Sequence, residues 1–177
     1  VSGTQAHSWI MFFESESKAF QIYAEALPNN AVFLVDTYDS LNGVRRAISA
    51  SKWLRAHGHE RIGVRLDSGD RVALSIAARR MLDEAGFPDA AIVCSGDLDE
   101  YAIAEMKSRG AKINVWGVGT KLATGCPDAA LNGTYKLGAM RRPREPWEYR
   151  IKLSDEPFKT SCPGRLQVRR FHQPDGK

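Results

Sequence analysis

The sequence predicts an α/β fold built on a parallel sheet, and three observations lead to this prediction. Four short apolar segments, typical of buried strands, begin near residues 31, 62, 90 and 113. Stretches with apolar residues at helical spacing lie between them, and each apolar segment is followed by glycine or polar residues. Consecutive strand–helix units of this kind form parallel sheets with right-handed crossovers.

The first elements follow from the apolar pattern and its stops. Small and polar residues open the chain, and we interpret them as a loop or strand that enters a helix through the apolar run 9–13. A helix is predicted over residues 14–27, because apolar residues recur there at helical spacing and Pro28 stops it. The continuous apolar run 31–35 is expected of a strand covered on both faces.

The same pattern continues to residue 120, with glycines as helix stops. The predicted helices cover residues 41–56, 71–85 and 98–109, and the predicted strands cover residues 62–66, 90–94 and 113–118. Beyond residue 120 the alternation of strand and helix patterns ends. Three shorter strands are predicted there, over residues 134–140, 149–153 and 166–171, with a charged loop at 141–148.

Composition limits the classes of protein that need consideration. A chain of 177 residues with 43% hydrophobic residues can bury a sizeable core, and one domain is the default expectation. The net charge of +4 is too diffuse to indicate nucleic-acid binding. Three widely separated cysteines, Cys94, Cys126 and Cys162, favour a reducing cytoplasm over a disulfide framework.

No membrane or export segment is predicted, since no apolar run approaches the roughly 18 to 20 residues that a membrane span needs. The chain begins without methionine, in the middle of what resembles a motif. We therefore expect it to be a piece of a longer polypeptide. A full eight-unit barrel takes about 250 residues, so the four units form either half a barrel or a small open sheet.

In either arrangement, ligands bind at the carboxyl ends of parallel strands. Four predicted strand ends therefore contribute to one edge of the sheet, which we call the rim. The rim residues are Asp36, Tyr38 and Asp39; Arg65, Asp67 and Asp70; Ser95, Gly96 and Asp97; and Gly117, Gly119 and Thr120.

Arg65 and Asp67 are the most informative rim residues. They alternate with the apolar side chains of residues 62–66 and so face the opposite side of that strand. An unpaired charge inside a dry core costs several kcal/mol, so these groups need partners or a ligand. A buried ion pair between Arg65 and Asp67 is the structural alternative.

Each of the other rim residues has either a functional or a structural interpretation, or both. The loop at residues 117–120 can present amide groups and a hydroxyl to a phosphate, or it can be a plain glycine-rich turn. Asp67 and Asp97 can hold Mg²⁺ or accept hydrogen bonds from sugar hydroxyls. Asp39 and Asp70 are predicted as helix caps.

Two further acids are predicted in the first turn of a helix, where a negative charge favours the helix dipole: Asp99 and Glu100. His7 has no second histidine at metal-ligand spacing, and a lone histidine of this kind is usually structural. His57, His59 and His172 are interpreted as solvated side chains.

Several motifs in order resemble one known family, nicotinate phosphoribosyltransferase. The matching segments are Gly3-Thr4, Ala6-His7-Ser8, residues 35–39, 63–70, 95–100 and 117–120, Tyr135-Lys136-Leu137 and Pro163-Gly164-Arg165. Their order and spacing agree over nearly the whole chain, which is far more specific than any single motif.

The resemblance implies an irregular, TIM-like α/β barrel of the type II phosphoribosyltransferases, joined to a smaller domain. Residues 1–133 would be part of the barrel and carry the site, and residues 134–177 would supply tail strands to the smaller domain. The implied reaction converts nicotinate and phosphoribosyl pyrophosphate to nicotinate mononucleotide and pyrophosphate, in NAD salvage. It is coupled to ATP hydrolysis and classed as a ligase reaction, with Mg²⁺ as a cofactor.

The resemblance also implies residue roles. His7 would be phosphorylated by ATP, Arg65 would face the nicotinate ring, and Asp67 and Asp97 would face the ribose hydroxyls and the metal. Gly117, Gly119 and Thr120 would bind the 5'-phosphate. The remaining rim residues assigned to substrate binding are Asp36, Tyr38, Ser95 and Gly96, and the residues assigned to catalysis are His7, Arg65 and Asp67.

Three alternatives stay open at this point. Within the family, a nicotinamide or quinolinate phosphoribosyltransferase is possible, and quinolinate enzymes need no ATP. The chain could instead be a phosphate-binding or assembly module without catalysis, or a separate α/β carrier or regulator. The full-length protein is expected to be a cytoplasmic homodimer that binds neither nucleic acid nor a membrane, with further nicotinate-contacting residues outside this chain.

Overall fold

A computed structural model describes residues 3–124, 133, 135–153 and 160–171. Its main feature is a five-stranded parallel sheet in which every strand lies beside the next strand in sequence, in the order β1 to β5. The strands are β1 (Gly3–Thr4), β2 (Ala31–Leu34), β3 (Ile62–Leu66), β4 (Ala91–Cys94) and β5 (Val115–Trp116).

Helices connect these strands. They are α1 (His7–Phe12), α2 (Glu16–Ala26), α3 (Ser40–Ala56), α4 (Arg71–Glu84), α5 (Glu100–Ser108) and α6 (Thr120–Ala123). Neighbouring helices pack side by side, α1 with α2, α2 with α3 and α3 with α4. The predicted α/β class and parallel strand–helix units are therefore confirmed.

The core lies between this helical layer and the sheet. Phe33 of β2 is fully buried between Phe20 and Tyr23 of α2, at ring-centroid distances of 5.1 and 5.7 Å. Gly43 allows α3 to approach β2 closely, because a Cβ atom at this position would lie 2.1 Å from the Val35 carbonyl oxygen. The apolar core thus fixes the positions of the helices relative to the sheet. It thereby also fixes the loops that join the strands to the helices.

The first segment differs from its prediction. We expected a loop or strand to enter a helix through residues 9–13, but most of this apolar run is itself helical, in α1, and the strand is the earlier pair Gly3–Thr4. Ile10 and Met11 are buried on one face of α1, which a helix achieves and an extended segment would not. The strand β5 is also shorter than the predicted 113–118, since only Val115 and Trp116 pair with β4.

The tail contains less strand than predicted. Two short strands, β6 (Ala139–Met140) and β7 (Glu148–Tyr149), pair antiparallel. The predicted strand 166–171 is wrong, because the structure has no strand there, and Leu166, Val168 and Phe171 are 70%, 90% and 88% exposed. Apolar residues form a stable strand only when a neighbour pairs with them. Thr134, Cys126 and His172 lie outside the described residues.

Within the described ranges, no helix is both long enough and apolar enough to cross a bilayer.

Candidate functional site

Asp side chains begin three of the helices that follow the sheet strands. Asp39 caps α3 by accepting a hydrogen bond from the Asn42 amide at 2.7 Å, and Asp70 caps α4 through the amides of Val72 and Ala73. Both predicted caps are confirmed. Asp99, predicted as a first-turn acid, is instead the cap of α5 and accepts from the Ala102 amide, while Glu100 lies in the first turn as expected.

Asp67 lies at the centre of a polar triangle just beyond β3. Arg65 Nη2 donates to Asp67 Oδ1 at 2.6 Å, and Ser95 Oγ donates to the same oxygen at 2.5 Å. Arg65 Nε in turn donates to Ser95 Oγ at 2.7 Å. Arg65 and Asp67 thus form the ion pair that the sequence offered as a structural alternative, and both side chains remain about a quarter exposed, at 24% and 27%.

These contacts hold the pKa of Asp67 well below its usual value. The His7 imidazole lowers the pKa most, burial opposes it by raising the pKa, and Ser95 and Arg65 lower it further. His7 Nε2 lies 3.9 Å from Asp67 Oδ2, which is an ion-pair distance rather than a hydrogen bond. The short contacts of Ser95 and Arg65 therefore fix the position of the carboxylate, while His7 has the largest effect on its pKa.

His7 is the first residue of α1 and belongs to the same cluster. Its Nδ1 atom lies 3.1 Å from Thr37 Oγ1, and its Nε2 atom faces Asp67. Thr37 is fully buried in the loop after β2, so this contact anchors the imidazole at the rim. The lone histidine that usually serves a structural purpose is here part of the candidate site.

Asp36 is buried behind the site. Its Oδ2 atom accepts hydrogen bonds from the Asp67 amide at 3.1 Å and from Ser68 Oγ at 2.5 Å. Its Oδ1 atom has no partner among the described residues. Asp36 therefore ties the loop after β2 to the loop after β3.

Tyr38 lies apart from these groups and is 38% exposed. Burial raises the pKa of the Tyr38 hydroxyl, nearby Glu16 raises it further, and Arg150 lowers it. Its predicted role in substrate binding stays a prediction.

A cleft of about 280 Å³ opens beside His7 and Asp67. Its wall combines residues of α1, the loops after β3 and β4, and the tail. The lining residues are His7, Ser8, Met11, Asp67, Ser68, Gly96, Asp97, Tyr135, Lys136 and Lys152. Of the predicted site residues, His7, Asp67, Gly96 and Asp97 line this cleft directly, and Arg65 and Ser95 support Asp67 from behind.

Lys152 is a cleft residue that the sequence reasoning missed. Its side chain is buried, at 7% exposure, and its ammonium group has no ion-pair partner within the described part of the chain. A cation that lines a cleft without a counter-ion among the described residues favours an anionic ligand there. Lys136 lines the same cleft, although the sequence motif that contains it was given no role.

The glycine-rich loop 117–120 does not line this cleft. The Gly117 amide bonds to the Cys94 carbonyl oxygen at 2.7 Å, and Gly119 precedes the four-residue helix α6. Gly117, Gly119 and Thr120 therefore follow the neighbouring strand β5 without joining the cluster around His7.

The roles of Asp67 and Asp97 as magnesium ligands stay predictions. No group of three or more His, Cys, Asp or Glu side chains lies close enough together in the described ranges to hold a metal ion. Asp67 Oδ1 already accepts two hydrogen bonds, and Asp97 is exposed.

Comparison with known proteins identifies nicotinate phosphoribosyltransferases among the relatives of this chain. The chain is 47% identical over 172 residues to a nicotinate phosphoribosyltransferase of Bacillus subtilis, covering 97% of this chain and 34% of the relative. It is 38% identical over 170 residues to the nicotinate phosphoribosyltransferase of Dictyostelium discoideum, covering 92% of this chain and 28% of the relative. No family model matches the chain.

Among solved structures, a nicotinate phosphoribosyltransferase from Porphyromonas gingivalis superposes with a TM-score of 0.68 and 25% identity. The superposition covers 92% of this chain and 44% of that one. The chain thus spans about a third of the length of the curated relatives that it matches.

Proposed function

This chain is a homologue of the nicotinate phosphoribosyltransferases, corresponding to about a third of their length, and from this premise we propose that it carries the phosphoribosyl-transfer site of such an enzyme. The complete enzyme would join nicotinate to phosphoribosyl pyrophosphate and release pyrophosphate, in NAD salvage. The observation that carries the proposal is the cleft that brings His7, Asp67 and Asp97 together beside Lys152.

His7 is the residue proposed to take a phosphoryl group from ATP. The bond between the γ-phosphorus and its bridging oxygen breaks, a bond to a ring nitrogen of His7 forms, ADP leaves, and the ring proton is released. Asp67, held as a carboxylate by Arg65 and Ser95, lies where it can stabilise positive charge on the imidazole during this step. The ATP coupling is what would place the reaction in the ligase class.

The transfer step takes place at the anomeric carbon of the ribose. Its bond to pyrophosphate breaks and a bond to the nicotinate ring nitrogen forms, through a state with positive charge on the sugar. Carboxylates near the ribose stabilise that charge, and Asp67 and Asp97 are proposed for this role. Lys152 is proposed to bind the phosphoryl oxygens, because it lines the cleft and an ammonium group forms strong charge-assisted hydrogen bonds with phosphate.

The remaining assignments follow from the same premise. We assign residues 1–133 to an irregular α/β barrel and residues 134–177 to a smaller domain of the complete enzyme. Its expected state is a cytoplasmic homodimer. Because Mg²⁺ is usually bound by one or two carboxylates together with substrate phosphates, we propose that Asp67 and Asp97 hold it with the phosphates of phosphoribosyl pyrophosphate.

A labelling experiment on the complete enzyme tests the role of His7. Incubation with γ-labelled ATP should place acid-labile phosphate on the enzyme, and His7→Ala should abolish the label. His57→Ala is the matched control, since His57 stacks on Trp53 at the exposed end of α3. Equal labelling of the His7→Ala variant would contradict the assignment.

A substrate comparison tests the reaction itself. The complete enzyme should use nicotinate in preference to nicotinamide and quinolinate, and its turnover should depend on ATP and Mg²⁺. Binding of phosphoribosyl pyrophosphate without any turnover would instead favour a non-catalytic phosphate-binding protein.

A further inference from the structure

A second arginine, Arg71, contacts the loop at residues 95–97, two of whose residues line the cleft. Arg71 is the first residue of α4, and its Nη1 atom donates to two consecutive carbonyl oxygens, those of Ser95 at 3.0 Å and Gly96 at 2.7 Å. The side chain does not line the cleft, and no step proposed above uses it.

The loop that Arg71 holds has an unusual backbone. Gly96 has a φ of +92°, and Asp97 has a φ of +50°, in the left-handed region that non-glycine residues rarely adopt. Such a conformation persists only where the surrounding structure holds it in place. The two hydrogen bonds from Arg71 are contacts of this kind.

These contacts also orient the peptide groups of the loop. In a planar trans peptide the carbonyl oxygen and the following N–H point in opposite directions. Since the Ser95 and Gly96 carbonyl oxygens face Arg71, the amides of Gly96 and Asp97 are directed away from it. Neither amide has a hydrogen-bond partner among the described residues, so both are available to a ligand.

Helix stability does not account for Arg71. A cation in the first turn lies at the positive end of the helix dipole, which is unfavourable for the helix. Asp70 already caps α4 through the amides of Val72 and Ala73. The guanidinium group instead donates to the Ser95 and Gly96 carbonyl oxygens and also lies near the Cys94 thiol, where it opposes the rise in the pKa of that thiol caused by burial.

We propose that Arg71 is a positioning residue for phosphoribosyl pyrophosphate, because it fixes the conformation in which Gly96 and Asp97 face the cleft. This inference rests on the proposed function, since it assumes that the loop binds that substrate. Arg71 touches no reacting atom, so its loss should weaken substrate binding more than it slows the chemical step.

Arg79 provides a matched control within the same helix. Its guanidinium group also donates to two backbone carbonyl oxygens, those of Ala90 and Phe87, which lie in the segment before β4. Arg79 therefore makes the same type of contact at the opposite end of β4 from the cleft. If losing such a contact only destabilises the fold, substitutions of Arg71 and of Arg79 should change the kinetic constants equally.

The kinetic test uses the complete enzyme with Arg71→Met, Arg71→Lys and Arg79→Met. In Arg71→Met, the KM for phosphoribosyl pyrophosphate should rise about 10- to 100-fold, as expected for losing hydrogen bonds from a charged group. The KM for nicotinate and kcat should change less, and Arg71→Lys should recover part of the loss. An unchanged KM for phosphoribosyl pyrophosphate in Arg71→Met, or an equal rise in Arg79→Met, would overturn the proposal.

A ligand-free measurement separates this inference from the proposed function. The Ser95 amide donates to the Leu66 carbonyl oxygen at 3.0 Å. The rate of hydrogen exchange at this amide therefore measures how often the start of the loop at 95–97 opens. Exchange there should accelerate in Arg71→Met but not in Arg79→Met; unaltered exchange in Arg71→Met would show that Arg71 does not hold the loop. If the wild-type enzyme fails to bind phosphoribosyl pyrophosphate, the proposed function fails, while this exchange result still decides whether Arg71 positions the loop.

Discussion

At the scale of single residues, the lowered pKa of Asp67 makes stability depend on pH in the acid range. Because the folded-state pKa lies below the ordinary value of 3.8, this contribution is complete above that value and is lost as pH falls towards the folded-state pKa. Between about pH 4 and pH 2 the wild-type free energy of unfolding should fall with an additional slope of up to about 1.4 kcal/mol per pH unit.

Asp67→Asn should lack this additional slope, which denaturant unfolding at a series of pH values would measure. Asp83→Asn is a control for the loss of a carboxylate far from the site, where the side chain is 50% exposed beside Arg79. Parallel curves for the wild type and Asp67→Asn would contradict the assigned cause.

Gly96 gives a second prediction at this scale. A Cβ atom there would lie 2.4 Å from the Asp67 carbonyl oxygen, in addition to the positive φ. Gly110 has a similar φ of +81° with no atom within 4 Å of its would-be Cβ. Gly110→Ala should therefore cost about 1–2 kcal/mol for the backbone conformation alone, and Gly96→Ala about 1–3 kcal/mol more for the clash.

Thermal or denaturant unfolding of the two alanine variants measures this difference. Only Gly96→Ala should also weaken binding of phosphoribosyl pyrophosphate. Equal destabilisation of both variants would show that the loop moves aside at little cost.

Single residues also show what sequence reasoning can and cannot predict. Arg65 and Asp67 were predictable, because charges that alternate with a buried apolar pattern require partners. His7 was recognised only through the family resemblance, since its contact with Thr37 spans 30 positions. Lys152 gave no sequence signal, because its place beside the cleft depends on the path of the tail.

At the scale of elements, the Asp caps contribute to stability without lining the cleft. Asp39→Ala should lower the free energy of unfolding by about 1 kcal/mol, because the Asn42 amide loses its acceptor. Asp39→Asn should retain most of that stability, and kinetic constants should stay near wild type in both variants. A large rise in KM for Asp39→Ala would show that this residue does more than cap α3.

Among the helices and strands, the helix caps and the order of the strand–helix units were the features that the sequence predicted best. Asp39 and Asp70 followed from their position before helical patterns, and the four long strand–helix units followed from periodicity. The two-residue strand β1 is too short to carry a period, and its pairing with β2 depends on a segment nearly thirty residues away, at Ala31 and Val32. The tail was predicted least well, because its segments find few partners among the described residues.

At the scale of the whole molecule, the parallel sheet has two open edges. In the described ranges, β1 pairs only with β2 and β5 pairs only with β4. Unpaired strand edges promote association, so the 177-residue chain should self-associate when it is produced alone. Sedimentation at increasing concentration would measure this.

A charged substitution on one edge should reduce that association. Val115→Lys places a charge on β5, where the side chain is 44% exposed, and Val168→Lys is a control at a 90% exposed position outside the strands. A folded monomer at every concentration would contradict the prediction, as would an equal effect of both variants.

The loops after β2, β3 and β4 each hold two acids, one near the strand end and one at the helix start: Asp36 and Asp39, Asp67 and Asp70, Asp97 and Asp99. In each loop, one acid caps the helix, and a different acid lies at or behind the cleft. Replacing the first acid of a pair should therefore impair binding, catalysis or, for Asp36, the link between two loops, whereas replacing the second should mainly weaken the start of the helix.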